Sequence, residues 1–132
     1  MSSYSQVNLN DVENQAPNFG MPEEMEARFA SGALGLERSG AGFMRLKPGF
    51  RVPFGHAHSE QEELYVVLRG SGRIKLDDEV LEVEEYDAVR IPPGVTRNME
   101  AGDEGVEYVA FGAPFVEDKR GEVEMQPGWW QD

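Results

Sequence analysis

The feature that most constrains the fold is a series of short strand-forming segments between residues 43 and 111, separated by turn residues. The segments are rich in Val, Leu, Ile, Phe and Tyr, and turn residues such as Lys47-Pro48-Gly49 and Pro92-Pro93-Gly94 follow them. Short strands at this close spacing predict an all-β antiparallel sandwich or barrel. The predicted strands cover 43–46, 54–58, 62–69, 73–76, 80–83, 88–91, 96–99 and 106–111, with turns at 69–72 and 101–105 and a hairpin around 77–79.

The segments on either side of this region have a different composition. Residues 1–20 are polar and predict a loosely held arm. Residues 21–30 have Pro22 and acidic residues at their start, which favours a short helix, with a strand as the competing prediction. We therefore expect an N-terminal arm over 1–36, a barrel over 37–115 and a tail over 116–132.

Both terminal segments offer contacts with a second chain. Residues 20–36 can add to a neighbour's sheet, because a barrel of this kind has edges to protect. The tail ends in Trp129 and Trp130, and two adjacent tryptophans rarely stay in water. We favour packing on the barrel wall or on a partner chain over a flap that covers a pocket.

Charge and composition exclude several classes of function. The net charge of −13 argues against nucleic acid and anionic membranes as partners, because both need a basic surface. The acidity favours solubility, with a cation-attracting surface as the alternative. The absence of cysteine excludes disulfides and thiolate chemistry. No apolar run approaches the roughly 20 residues of a membrane helix, and no signal peptide is evident, so a cytoplasmic protein is the default expectation.

The two histidines of the chain form the clearest candidate site. His56 and His58 are two residues apart in a predicted strand, so their side chains share one face with Cα atoms about 7 Å apart. Glu63 opens the next strand, and Tyr65 lies on the same face of that strand. Two neutral imidazoles and one carboxylate are a known metal-binding set, typical of sites for Fe, Mn, Ni, Zn or Cu.

These residues also resemble a protein family. Gly49, His56, His58, Glu63 and Gly70 resemble the first motif of the cupins, which is a glycine, His-x-His, a glutamate and a second glycine. Residues 86–98 resemble the second motif, which is Gly-Asp, a short strand, Pro-x-Gly and a histidine. The chain is thus similar to a small single-domain cupin of the RmlC-like superfamily. The resemblance implies a jelly-roll barrel with a pocket inside it, often as a homodimer.

Two positions depart from the cupin pattern. Tyr86 stands where a glycine is usual, and Arg97 stands where the fourth metal ligand, a histidine, is expected. Arginine stays protonated and cannot ligate a metal. Arg97 either replaces the ion, which leaves an inert pocket, or holds an anionic substrate through its planar fork.

Several neighbouring residues have two interpretations. Tyr65 is an acid or hydrogen-bond donor to a substrate, or a core residue. Gln61 shares the parity of Glu63 and can reach the site, whereas Glu60 and Glu62 have the opposite parity and belong to a solvated loop. Arg45 is exposed, paired or ligand-facing. The other candidates for pocket walls or plain core are Phe43, Phe54, Met99 and Phe111.

Two functions from different classes follow. The first is a metal-dependent enzyme of dioxygenase, isomerase or decarboxylase type, with His56, His58 and Glu63 as ligands and Arg97 and Tyr65 acting on a small, anionic organic molecule. The second is a metal-free sensor or structural cupin that binds a small molecule without catalysis.

Overall fold

The computed structural model describes residues 3–132, and its strands form one curled antiparallel sheet of eight strands, an all-β jelly-roll barrel. Short 3-10 helices at Leu9–Asp11 and Ala16–Phe19 and a one-turn helix α1 (Ser31–Leu34) lie near the N-terminus. The strands are β1 (Met25–Phe29), β2 (Gly40–Leu46), β3 (Phe54–His58), β4 (Glu62–Leu76), β5 (Glu79–Glu84), β6 (Ala88–Ile91), β7 (Arg97–Ala113) and β8 (Val123–Pro127).

The two longest strands hold the sheet together. Strand β7 pairs with β2, β3 and β4, and β4 also pairs with β5 and β6. The hairpin between β4 and β5 is the one that the sequence predicts around 77–79. Strand β1 pairs with β2, and β8 pairs with β3.

The turns predicted at 69–72 and 101–105 are wrong, because β4 and β7 run through both segments as continuous strands. The glycines there bend the strands, and the register of the β4–β7 pairing shifts between Gly70 and Gly72. A Cβ atom on Gly70 would lie 2.1 Å from the carbonyl oxygen of Gly105. These glycines therefore allow the two strands to approach closely rather than to reverse.

The helix predicted over 21–30 is also wrong, and the competing strand forms instead as β1. Met25 and Ala27 are buried, with the more exposed Glu26 between them, which is the alternation of a half-buried strand. Strand β1 pairs with β2 of its own chain, with Met25 opposite Leu46 and Phe29 opposite Gly42. The arm thus extends its own sheet within the described chain.

Inward-facing side chains change from polar to apolar along the barrel. On β4 the inward positions run from Glu63 through Tyr65 to Val67, and on β7 they run from Arg97 to Met99. The apolar side chains form one buried cluster, and neither Glu63 nor Arg97 belongs to it. Other members of the cluster are Met44, Leu46, Ile74, Ile91, Ala101 and Val106.

The C-terminal tail packs on the barrel. Strand β8 pairs along the whole of β3, and Trp130 is buried with the guanidinium of Arg51 4.2 Å from its ring. The ring of Trp129 covers Gly55, where a Cβ atom would lie 2.7 Å from it. The tail therefore buries Trp130 and partly covers Trp129 against its own chain.

No helix within residues 3–132 has the length and apolar character required to cross a membrane.

Candidate metal centre

The structure brings His56, His58 and Glu63 together. One ligand atom from each lies within 4.8 Å of the others. Nε2 of His58 is 3.2 Å from Oε1 of Glu63, and Nε2 of His56 is 4.0 Å from the same oxygen. The two histidines are two residues apart on β3, so their side chains share its inward face. Glu63 reaches them from the start of β4. The spacing in the sequence therefore predicts the grouping that the fold produces.

His56 is held in its neutral form. Burial is the main cause that lowers the pKa of His56 from 6.5 to about 4; the positive charge of Arg97 acts in the same direction, and Glu63 opposes it. At neutral pH its ring nitrogen is therefore available as a lone-pair donor, which is the form in which histidine binds metals.

Glu63 is ionised but not satisfied. Burial acts to raise the pKa of Glu63, but its contact with His58 and the charge of Arg97 lower it below the usual value. Its Oε1 atom is buried and accepts no hydrogen bond, although Nε2 of His58 is close. A buried carboxylate oxygen without a donor is a strong site for a cation.

Arg97 points into the barrel. It is opposite His56 in the β3–β7 pairing, and only 1% of it is exposed. Its Nη1 atom lies 3.5 Å from Oε1 of Glu63, yet none of its three guanidinium nitrogens makes a hydrogen bond. A guanidinium that replaced an ion would bond the carboxylate through its fork, and Arg97 does not do so.

Glu122 completes the surroundings of His58 and was not found from the sequence. It is 3% exposed, and its Oε1 atom is 3.1 Å from Nδ1 of His58, on the side of the ring away from Glu63. It lies in the tail, directly before β8, and no motif or spacing relates it to the histidines. The only feature of the sequence that marks Glu122 is its position as a carboxylate directly before a strand-forming segment.

Two tyrosines lie beside this polar layer. The rings of Tyr65 and Tyr108 are 5.2 Å apart, and each residue is 4% exposed. Burial raises the pKa of both, and the charge of Glu63 raises it further. Both phenols therefore keep their protons at neutral pH and can act as hydrogen-bond donors, whereas the sequence pattern around the histidines points to Tyr65 alone.

The remaining residues proposed for the pocket divide between the inner and the outer face of the sheet. Phe54 and Met99 face inward, against the buried cluster. Phe111 is 48% exposed and pairs with Leu64 on the outer face, so its assignment to the pocket is wrong. Phe43 also faces outward, stacked under Arg45, because it pairs with Val109 on that face.

The polar residues near the motif are paired elsewhere. Arg45 forms ion pairs with Glu26 and Glu107, which selects the paired interpretation. The side chain of Gln61 donates a hydrogen bond to the carbonyl of Pro114, so its predicted approach to the site is wrong. Glu62 is exposed and pairs with Arg90, as expected for the solvated face.

Comparison with known proteins identifies the family. Residues 42–112, more than half of the chain, match the family model of the cupin domain. The chain belongs to the cupin family. A cupin protein from Bacteroides fragilis superposes with a TM-score of 0.71 at 23% identity, over 89% of this chain and 90% of that one.

Two further relatives match less of their own length. Oxalate decarboxylase from Bacillus subtilis superposes with a TM-score of 0.72 at 24% identity, over 94% of this cupin and 33% of that chain. An uncharacterized protein from Methanocaldococcus jannaschii is 40% identical over 45 residues, which are 34% of this chain and 36% of the relative. The structural likenesses establish the cupin fold alone, and the sequence match spans about a third of that relative.

The residues of this cupin fit a divalent transition metal. Donor atoms that share an ion at about 2.1 Å lie about 3 Å from one another, close to the separation between His58 and Glu63. Glu63 has an oxygen without a hydrogen-bond donor, and both histidines present Nε2 to it. Imidazole and carboxylate suit Fe, Mn, Ni, Zn and Cu alike, so the donor set fits this class of ion without selecting one.

Proposed function

We propose that the protein binds a divalent transition metal through His56, His58 and Glu63, together with a small organic anion held by Arg97 and Tyr65. The protein then acts on that molecule as a metal-dependent enzyme of dioxygenase, isomerase or decarboxylase type. A bound metal with open positions supplies Lewis acidity, or a place where substrate and dioxygen meet.

The observation that carries this proposal is the environment of Arg97. A buried guanidinium with no hydrogen-bond partner is costly, and it lies at the edge of a group of metal-binding donors. A carboxylate matches its planar fork, so an organic anion can bond to Arg97 with one end and reach the metal site with the other. The protonated Tyr65 provides a further donor on the same face of β4.

The similarity to oxalate decarboxylase concerns the fold, so it does not choose among these reactions. It makes decarboxylation of a small carboxylic acid one of the reactions to assay first. The chain also corresponds to only 33% of that protein, so the activity of the longer chain cannot be transferred as a whole.

Metal analysis tests the first half of the proposal. Untagged protein, as purified and after reconstitution with each transition metal, is analysed for bound ions. Near one equivalent supports the proposal, and less than about a tenth of an equivalent of every metal contradicts it. Glu63→Gln should lose the ion, whereas Glu62→Gln is the matched control because Glu62 lies on the outer face and pairs with Arg90.

A metal-free binding module is the second candidate function. It is favoured by the same arginine, because a positive charge close to Glu63 opposes a divalent ion. A panel of small carboxylates is titrated into protein treated with chelator. Undiminished affinity after chelation, with no turnover in the metal-loaded protein, favours this candidate over the enzyme.

We also propose that two copies of the chain associate through the outer face of β4 and β7. Leu64 and Phe111 are neighbours there and are 40% and 48% exposed, and Leu68 on β4 is 42% exposed. Exposed apolar clusters of this kind mark protein interfaces. Sedimentation should give a dimer at tens of micromolar, and Leu64→Lys should give a monomer. A monomeric wild-type protein contradicts this proposal.

A further inference from the structure

Glu122 makes contacts that exceed those of an ordinary surface carboxylate. Its Oε2 atom accepts hydrogen bonds from the hydroxyl of Ser59 at 2.9 Å and from the backbone N–H of Glu60 at 2.8 Å. Its Oε1 atom accepts the backbone N–H of Gln61 at 3.2 Å and faces Nδ1 of His58 at 3.1 Å. One carboxylate from the tail thus contacts four consecutive residues, from His58 at the end of β3 to Gln61 just before β4.

These contacts hold the carboxylate of Glu122 in one orientation, with Oε2 toward Ser59 and Glu60 and Oε1 toward Gln61 and His58. A carboxylate accepts hydrogen bonds and donates none. The Nδ1 atom of His58, 3.1 Å from this carboxylate, is therefore placed to donate its proton to Glu122.

The position of that proton decides what the other ring nitrogen can do. A neutral imidazole has one N–H, so a proton on Nδ1 leaves the lone pair on Nε2, which faces Glu63 and His56. Without Glu122, the proton would move to Nε2, where Glu63 would accept it. Carboxylates bonded to the outer nitrogen of a ligand histidine act in this manner at metal sites.

We propose that Glu122 is a positioning residue for the metal site: it holds the proton of His58 on Nδ1 and fixes the loop that sets the distance between His58 and Glu63. The inference rests on the proposed function for the identity of the site. It adds that the C-terminal tail supplies part of that site, although none of the proposed ligands belongs to the tail.

The test compares Glu122→Gln with wild type. The glutamine has the same shape, but its NH2 group must face either the donors of Ser59 and Glu60 or Nδ1 of His58. Glu124→Gln is the control, because Glu124 is exposed on the adjoining strand and loses the same charge. We expect Glu122→Gln to weaken Zn²⁺ binding about 10- to 100-fold in competition with a chelator, and Glu124→Gln to leave it unchanged.

A spectroscopic measurement separates positioning from general stability. Long-range ¹H–¹⁵N NMR at pH 8 on the chelator-treated full chain reports which nitrogen of His58 carries the proton. We expect Nδ1–H in wild type and in Glu124→Gln, and a shift to Nε2–H in Glu122→Gln. A variant that melts at a lower temperature but keeps the Nδ1–H form and full Zn²⁺ affinity overturns the inference.

The two proposals can fail separately. If wild type binds no metal but shows the Nδ1–H form that Glu122→Gln loses, the metal function fails and the role of Glu122 stands. If wild type binds Zn²⁺ while His58 carries its proton on Nε2 without metal, the role of Glu122 is wrong and the metal function stands.

Discussion

Arg97 and Glu63 lie with Nη1 and Oε1 only 3.5 Å apart, and neither makes a hydrogen bond to the other. The charge of Arg97 nevertheless acts on the whole site, because it adds to the effect of burial on the pKa of His56 and lowers that of Glu63. The arginine thus sets the electrostatic conditions for any ligand that enters the barrel.

Replacing this arginine should destabilise the metal-free protein. Arg97 is the buried cation beside the ionised Glu63, so Arg97→Met leaves that carboxylate without a countercharge and should lower the free energy of unfolding by about 3 kcal/mol. The same change should strengthen Zn²⁺ binding at least about 10-fold, because a positive charge leaves the site, and should abolish binding of carboxylates. Urea denaturation with chelator and competition titrations measure these effects.

Arg45→Met is the matched control for this prediction. Arg45 is paired with Glu26 and Glu107 on the outer face, so its loss should cost up to about 1 kcal/mol instead. If Arg97→Met costs no more than Arg45→Met, Arg97 does not act as the countercharge of Glu63 and our interpretation of its environment is wrong.

The metal-free protein should lose stability as the pH falls below about 6.5. The pKa of His56 is lowered to about 4, so between these values the unfolded chain binds a proton that the folded protein does not. The free energy of unfolding should therefore fall with decreasing pH, by at most about 1.4 kcal/mol per unit from this residue.

Urea denaturation at pH 7, 6 and 5 checks this, and a variant without His56 accounts for the carboxylates that begin to titrate near pH 5. His56→Gln removes the titrating group and should show a smaller pH dependence than wild type over the same range. Equal slopes for the two proteins would show that His56 is not desolvated as the fold implies.

Gly70 should tolerate no side chain. Its φ is +81°, and a Cβ atom would overlap the carbonyl oxygen of Gly105, so Gly70→Ala should cost more than about 3 kcal/mol. Gly94 has a similar φ of +86° with open space around it, and Gly94→Ala should cost about 1 kcal/mol. Thermal denaturation of both variants measures the difference, and equal losses would refute the close approach of β4 and β7.

Trp130 should hold the tail on the barrel. It is 7% exposed and lies under Arg51, with Arg73 5.3 Å from its ring, so Trp130→Ala should cost about 3 kcal/mol. Hydrogen exchange should quicken at the amides of β8, and Zn²⁺ affinity should fall with it, because Glu122 lies next to that strand.

Met125→Ala is the control, because Met125 is 51% exposed on β8 and its loss should change stability by less than about 0.5 kcal/mol. Unchanged exchange in Trp130→Ala would mean that β8 is held by β3 alone.

Local patterns in the sequence predict a large part of this fold and of its site. The bounds of β3 and β6 and the hairpin between β4 and β5 follow from alternation and turn residues, which act over a few positions. The grouping of His56, His58 and Glu63 follows from the same short range, since all three lie within eight residues on strands that are consecutive in the chain.

The errors arise where distant parts of the chain determine the structure. Gly70 and Gly105 look like turn residues in the sequence. Their role is instead to let β4 and β7 approach closely, which depends on both glycines meeting across the two strands. The segment containing Met25 and Ala27 becomes a strand because β2 offers it an edge, which overrides the helical signal of Pro22. Glu122 reaches His58 only through the pairing of β8 with β3, so no spacing in the sequence could reveal it.

The unbroken course of β4 and β7 also determines how the molecule comes apart. Each strand passes through the crossing at Gly70 and Gly105 and takes part in pairings on both sides of it. Separating the polar end of the barrel from its apolar end would break hydrogen bonds between β4 and β7, two strands that belong to both ends. The barrel should therefore unfold in one cooperative transition, with no stable half-barrel that keeps the apolar cluster while the site is lost.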